Sequence, residues 1–335
     1  MSEIFDVDCG YLATIQAMAD RLWTDPIQNI DYIADVEAAK AVLENQSVNF
    51  TELQGRKKRS ISLEWLTKCD ITTQSCSDDC TITGEDATPV CKEYEIECLR
   101  ETTFKVPERA YRERTVEMQE SIAKNLLLHK VAMDEWAAQY IVTGLLASSG
   151  LNAFTGGIGT VAGPITTINA AYWDDQIWGY FNRVIRGNKF KSPYMLTGDN
   201  LYQLIFNRMH ESATEAGKAG MAKIGSIRAI YQDPENVEVI APGSTFLIHK
   251  TAVAMITKAW YPLGAVNAEK RAGVYWMWSE ASNNIPGLFY DVIMQESCSD
   301  NDFHQAFKIQ LHGLFALNPY PCDANNTGVL RFTCV

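Results

Sequence analysis

The segment from Pro107 to Gly150 constrains the fold more than any other. Met118, Ile122, Leu126, Met133, Trp136, Ala137, Tyr140, Ile141 and Leu145 recur mostly at intervals of three or four. That spacing gathers them on one face of a helix with 3.6 residues per turn. At about 1.5 Å per residue, a helix from Glu108 to Thr143 spans roughly 50 Å. Ordinary globular helices run to about three turns. A rod of this length suits the bracing of an extended subunit better than the wall of a small pocket. Glu108 and Glu113 fall in its first turns, and Gly144 and Gly150 mark its expected end.

Two short helical segments precede it. Leu12, Ile15, Met18, Ala19 and Leu22 predict a helix over 11–23, stopped before Pro26. Asp31 is placed to cap another, with Ile33, Val36, Ala39, Val42 and Leu43 on its apolar side. Neither is long enough to be stable alone, so both require a surface to pack on. From Ser60 the period changes to two. Ile61, Leu63 and Trp65 alternate, as do residues 93–99, and an extended stretch follows over 102–106. The polar stretch Asp78–Pro89 separates them, which predicts a long hairpin. Its edges need covering by other chains.

Beyond the long helix the pattern is mixed. The glycine-rich run from Thr155 to Pro164 predicts a flexible connection, and it lacks the Gly-Lys-Ser/Thr ending of a phosphate loop. Helices are expected over 165–186, from Asp199 and over 251–260. Strands are expected over 193–197, 227–231, 237–240, 245–248 and 273–279, and alternation returns at 303–317. The class is α+β.

Charge bounds the partners. The formal net charge is -12, and residues 1–107 carry 20 acidic against 10 basic side chains. That disfavours coating of nucleic acid by the whole chain. The one dense basic run, Arg56-Lys57-Lys58-Arg59, is able to bind an acidic partner or polymer, and its plainer reading is a solvated turn ahead of a strand. No start-proximal basic and apolar segment resembles a secretion signal, and no uncharged run of about 20 apolar residues suggests a membrane span. Synthesis in the cytosol is therefore expected.

Candidate chemistry is sparse. Cys69, Cys76, Cys80, Cys91 and Cys98 fall within 30 residues, and their state is open among free thiols, disulfides and a bound metal. There is no CxxC pair and no nearby histidine. His129, His210, His249, His304 and His312 form no HExxH pattern. Asp174, Asp175, Glu215, Asp233 and Glu235 have no convergent geometry, and Ser149 and Ser226 lack a nucleophile-elbow context. No catalytic residue, metal ligand or cofactor site is assigned.

The order of elements resembles the major capsid proteins of tailed bacteriophages with the Hong Kong 97-type fold. The likeness is carried by the arm, the extended loop, the long helix and the returning strand. It is carried also by Pro193-Tyr194-Met195-Leu196-Thr197-Gly198-Asp199, and by Ile224–Tyr231 followed by Phe246-Leu247-Ile248-His249-Lys250. The glycine spacing and aromatic residues around 287–293 fit a return to the periphery. The five-cysteine loop departs from the family's usual composition. The resemblance implies an N-terminal arm at 1–49, an extended loop at 50–106, and a spine helix with part of a peripheral domain at 107–164. It implies an axial (central) domain at 165–295, and a returning peripheral strand and tail at 296–335.

It further implies a structural protein, not an enzyme, that self-assembles as pentamers and hexamers into an icosahedral virion shell. The implied partners are further copies of the chain, a portal, a scaffolding function and packaged double-stranded DNA bound without sequence-specific recognition, with no membrane. Synthesis would occur in the host cytoplasm. Trp65, Tyr94 and Phe104 are the expected contacts of the loop with a neighbouring subunit, and Trp136 and Tyr140 the packing of the spine on the peripheral sheet. The alternatives are an encapsulin-like nanocompartment shell and a zinc-dependent cytosolic enzyme.

Overall fold

The computed structural model describes residues 8–24, 35–46, 60–65, 90–107, 115–174, 176–201, 204–205, 226–272, 275–299, 302–317 and 327–334. Helix α1 (Cys9–Thr24) buries Leu12, Ile15, Ala19 and Leu22, the face set by its period. Asp8 accepts the Tyr11 amide at 2.7 Å and so caps its start. Helix α2 (Glu37–Asn45) has no cap from its own Val36. Asp31 lies outside the described residues. The Asp233 carboxylate, nearly 200 residues away, instead accepts the Ala38 amide at 2.8 Å.

Strands β1 (Ser60–Trp65) and β2 (Val90–Glu95) pair antiparallel, from Ser60 opposite Glu95 to Trp65 opposite Val90. Strand β3 (Glu97–Pro107) follows, and then the long helix α3 (Thr115–Ala147), 33 residues. The expected rod is present, roughly 50 Å at 1.5 Å per residue. Its start is described from Thr115, and it ends at Ala147, between the two glycines that mark its expected end. Gly144 has a packing role: a Cβ on it would come within 2.9 Å of the Phe315 ring.

After α3 come β4 (Gly159–Ala162), β5 (Ile165–Ile168), α4 (Gln176–Gly187), β6 (Tyr194–Thr197), β7 (Ile230–Gln232), α5 (Pro234–Ile240) and β8 (Ser244–Ile248). The chain closes with β9 (Val253–Thr257), β10 (Glu269–Arg271), β11 (Tyr275–Ala281), β12 (Phe289–Ser299), β13 (Asp302–Leu317) and β14 (Val329–Cys334).

Three local expectations are corrected. Residues 159–168 form a hairpin, not a flexible run leading into a helix; Gly163, at φ 60°, makes its turn. Ile165-Thr-Thr-Ile168 is β-branched throughout and pairs on both sides, which fits a strand better than a helical turn. Residues 237–240, expected as a strand, are the second half of the helix Pro234–Ile240. Asp233 accepts the Asn236 amide at 3.1 Å and Pro234 occupies the first turn, and these start signals override the Val-Glu-Val pattern. Residues 253–257 are a strand where a helix was expected. All five are buried, so no alternation marks them, and Thr251 at φ 73° interrupts a helical path.

Two six-stranded sheets result. The first runs β10-β11-β12-β13-β3, with β9 pairing the end of β13 beyond the reach of β12. The second runs β4-β5-β14-β8-β6-β7. These pairings cut the chain differently from boundaries at 164 and 295. Strands β9 to β12 join β13 in the first sheet, whereas β4 and the C-terminal β14 join the second. Alternation along the second sheet sends Tyr194, Leu196, Tyr231, Phe246 and Ile248 into the core that holds α2 and α3. It sends Met195, Ile230, Leu247, Leu330 and Phe332 against α4.

Candidate functional site: the seam between the long helix and the first sheet

Lys130 and Asp134, one turn apart on α3, stand in an otherwise apolar stripe and are 3% and 1% exposed. Charges so deeply buried need partners. Lys130 Nζ donates to Glu280 Oε2 at 3.0 Å and to Asn283 Oδ1 at 2.7 Å, and Glu280 Oε1 accepts Trp278 Nε1–H at 2.7 Å. Asp134 accepts the Tyr290 hydroxyl on one oxygen and Asn284 Nδ2 at 2.9 Å on the other. Burial pushes the Asp134 carboxyl up, and hydrogen bonds from Tyr290, Ser282 and Asn284 and the Lys130 charge pull it back. Tyr290 is raised by burial and by the facing carboxylate. These partners all belong to β11, β12 and the turn between them. The seam therefore fixes α3 along its axis as well as against the sheet. Sequence reasoning missed it, although a lysine and an aspartate four apart on an apolar helix face were a visible signal.

The aromatic residues complete the same contact. Trp136 and Tyr140 stack at 5.1 Å and 18°, and the Arg100 guanidinium of β3 lies 5.7 Å from the Trp136 ring. Both are half-buried on the core that α3 shares with the sheet. Phe104 is 8% exposed. It stacks on Phe307 of β13 at 4.8 Å and on His129 of α3 at 5.0 Å. His129 Nδ1 lies 2.6 Å from the Thr102 hydroxyl, and burial lowers its pKa. Phe104 is thus a core residue of its own chain and has no surface left to anchor a neighbour. Tyr94 is also turned inward: its hydroxyl donates to the Leu317 carbonyl at 2.9 Å, at the base of the hairpin. Trp65 ends β1, opposite Val90, and its side chain lies outside the described residues. Among the described residues β1 and β2 pair only with each other, as a two-stranded ribbon.

The remaining candidate chemistry does not converge. Asp291, fully buried, accepts the Ser279 hydroxyl at 2.5 Å and the Trp260 amide at 3.0 Å, with His312 Nδ1 3.0 Å from its other oxygen. The carboxylate stands between serine and histidine. A nucleophilic serine needs the histidine in that place. The arrangement ties β11 to β12 beside the point where β13 passes from β12 to β9. Cys69, Cys76 and Cys80, and the side chain of Cys91, lie outside the described residues. Cys98 is an exposed free thiol on β3, raised by partial burial and by Glu101. Among the described residues no three His, Cys, Asp or Glu side chains gather as metal ligands, and no helix is long and apolar enough to cross a membrane.

No protein-family model matches the chain, and no curated protein matches its sequence. Solved structures do. The capsid of cyanophage Pam1 superposes with a TM-score of 0.51 at 11% identity, over 91% of this chain and 93% of that one. The mature capsid of bacteriophage PhiM1 aligns with a TM-score of 0.49 at 8% identity, over 92% and 89%. The Mycobacterium phage Adephagia structure aligns with a TM-score of 0.48 at 15% identity, over 92% of each chain. The likeness to the Pam1 capsid chain covers 91% of this chain, so this chain has the Hong Kong 97-type α+β capsid fold.

Proposed function

We propose that this chain is the major capsid protein of a tailed bacteriophage and that it self-assembles into the icosahedral shell around double-stranded DNA. The observation that supports this best is a fold shared along nine-tenths of the chain with a phage capsid subunit. Two features of the chain fit the same role. A ribbon that pairs only with itself among the described residues has open edges for a neighbour to cover. A buried polar seam ties the long helix to one register on its sheet, which gives every copy the same shape. In this reading α3 is the spine, the first sheet belongs to the peripheral domain, and the second sheet is the axial domain. Pentamers and hexamers form the shell, and Trp65 travels with the ribbon to the adjacent subunit. The role is structural and involves no catalysis. A portal, a scaffolding function and the virion setting follow from the same role.

Electron microscopy of particles purified after expression, with analysis of nuclease-protected nucleic acid, tests the reading. Closed shells are expected, and in infected cells shells filled with DNA. A chain that sediments as a monomer under all particle-forming conditions would overturn it. Shells holding protein cargo and no DNA would replace it with a nanocompartment.

A further inference from the structure

We propose that the second sheet is a two-ended block whose basic end receives the acidic end of the next copy of this chain. The proposal rests on the shell reading above and names the surfaces of one contact within it.

Strand register defines the ends. Tyr194 and Val329 both face Ile248, and Met195 faces Ile230, so the starts of β6, β7 and β14 lie with the finish of β8. Thr197, Gln232 and Thr245 lie together at the opposite end. The segments around the first end carry Lys189, Lys191, Arg228 and Lys250, and the last turns of α4 add Arg183 and Arg186. They are held close: the Arg228 amide donates to the Pro193 carbonyl at 2.7 Å, and the Phe190 ring meets His249 at 5.5 Å. All but the half-exposed Lys250 are exposed, and among the described residues none is ion-paired. Residues 176–198, 226–232, 244–258 and 327–334 contain no carboxylate side chain.

The opposite end has the other sign. Asp199 and Glu235 are exposed there, and the Asp199 amide bonds to Glu238, one turn beyond Glu235. No lysine or arginine occurs from Ala229 to Ile248. Arg331 reaches this end half-buried, with its Nε on Ser244. Each end also presents an exposed aliphatic side chain. Leu151 is 39% exposed, and its neighbours Gly150 and Ala153 bond to Val329 and Asn188. Val239, on α5, is 75% exposed. An apolar centre with a charged rim is the usual anatomy of a protein interface, and opposite potentials select the partner and its orientation.

A helix dipole accounts for part of the basic end. Arg183 and Arg186 offset the negative C-terminus of α4, but Lys191, Arg228 and Lys250 lie on other segments. A phosphate polymer would use one end only and would approach a chain of net charge -12. A second copy uses both ends. The contact is head-to-tail, and such contacts close into rings when the rotation between copies allows.

The test is charge reversal in the full chain, read by light scattering and sedimentation velocity during assembly. Lys189→Glu with Lys191→Glu and Arg228→Glu should raise the concentration needed for assembly by roughly tenfold or more at low salt, a gap that narrows as salt screens the contact. Asp199→Lys with Glu235→Lys should do the same, and all five changes together should restore assembly. Unchanged melting temperatures show that each variant folds, and Lys→Gln versions serve where reversal does not. Normal shells from either reversed chain, or no rescue in the folded combined variant, overturn the contact while leaving the shell reading intact. So does lost DNA retention with undisturbed assembly, which would make phosphate the partner. A wild-type chain that forms no shell at all defeats the reading beneath it.

Discussion

Two buried carboxylate systems hold the molecule together in different ways. At the seam, Lys130 and Glu280 form a full ion pair with 4% and 1% of their side chains exposed, and Asp134 beside them takes neutral donors. At the arm, Asp233 takes no cation among the described residues. It bonds two backbone amides, Ala38 at the start of α2 and Asn236 at the start of α5. Asn236 Nδ2 also donates to the Asp35 carbonyl, and Tyr231 donates to Glu44 and accepts from Asn45, so α2 is tied at both ends. The difference lies in what is left when one partner goes. Removal of a cap exposes backbone donors that water and relaxation partly satisfy. Removal of Lys130 strands a charge in the core.

The ribbon stands outside both systems, so its deletion should have the largest functional and the smallest thermodynamic effect. A chain in which a short glycine linker replaces residues 60–93, leaving Tyr94 on Leu317, should lose shell formation while keeping the melting temperature of the body; particles of normal size would end the assignment of the ribbon to assembly. Next comes Lys130→Met, expected to cost about 3–5 kcal/mol in urea unfolding because Glu280 stays buried without its cation. Adding Glu280→Leu should return most of that, and a double variant no better than the single would show that the pair is not what holds the seam. Asp233→Ala should cost about 1–4 kcal/mol, the sum of two lost caps, with Asp233→Asn much milder. A cost above that of Lys130→Met would reverse the contrast.

The smallest effect is on pH. Burial lowers the pKa of His129 below 6.5, so the unfolded chain binds more protons between the folded value and 6.5. Stability from this site is complete above that window and falls as pH drops through it. His249 is shifted the same way by burial and by Lys191. His129→Gln should therefore flatten the change in urea midpoint between about pH 7 and pH 5. A wild-type midpoint that does not move would remove His129 from the account.

The legible parts of the sequence were those with long unbroken periods. Helix α3 followed from its 3.6-residue repeat, and β1, β2, β3 and β13 from alternation. Short segments are not decided by period alone: Ile165–Ile168 extends an apolar run, 237–240 alternates by chance, and 253–257 is buried on both faces. The aromatic residues were located on the right elements, yet Phe104 and Tyr94 turn into their own chain. A strand's period shows that a ring has a face to cover, but not whose surface covers it.

The sequence by itself determined the rod, the extended arms and the uneven charge, because helix and strand periods and side-chain charges are local properties of the chain. Tertiary structure alone decided that Lys130 meets Glu280 across 150 residues, that Asp233 caps a helix nearly 200 residues away, and that β14 joins the second sheet. Those pairings depend on which elements come to lie side by side. A buried charge fixes that it must find a partner, and the packing of the whole chain fixes which one.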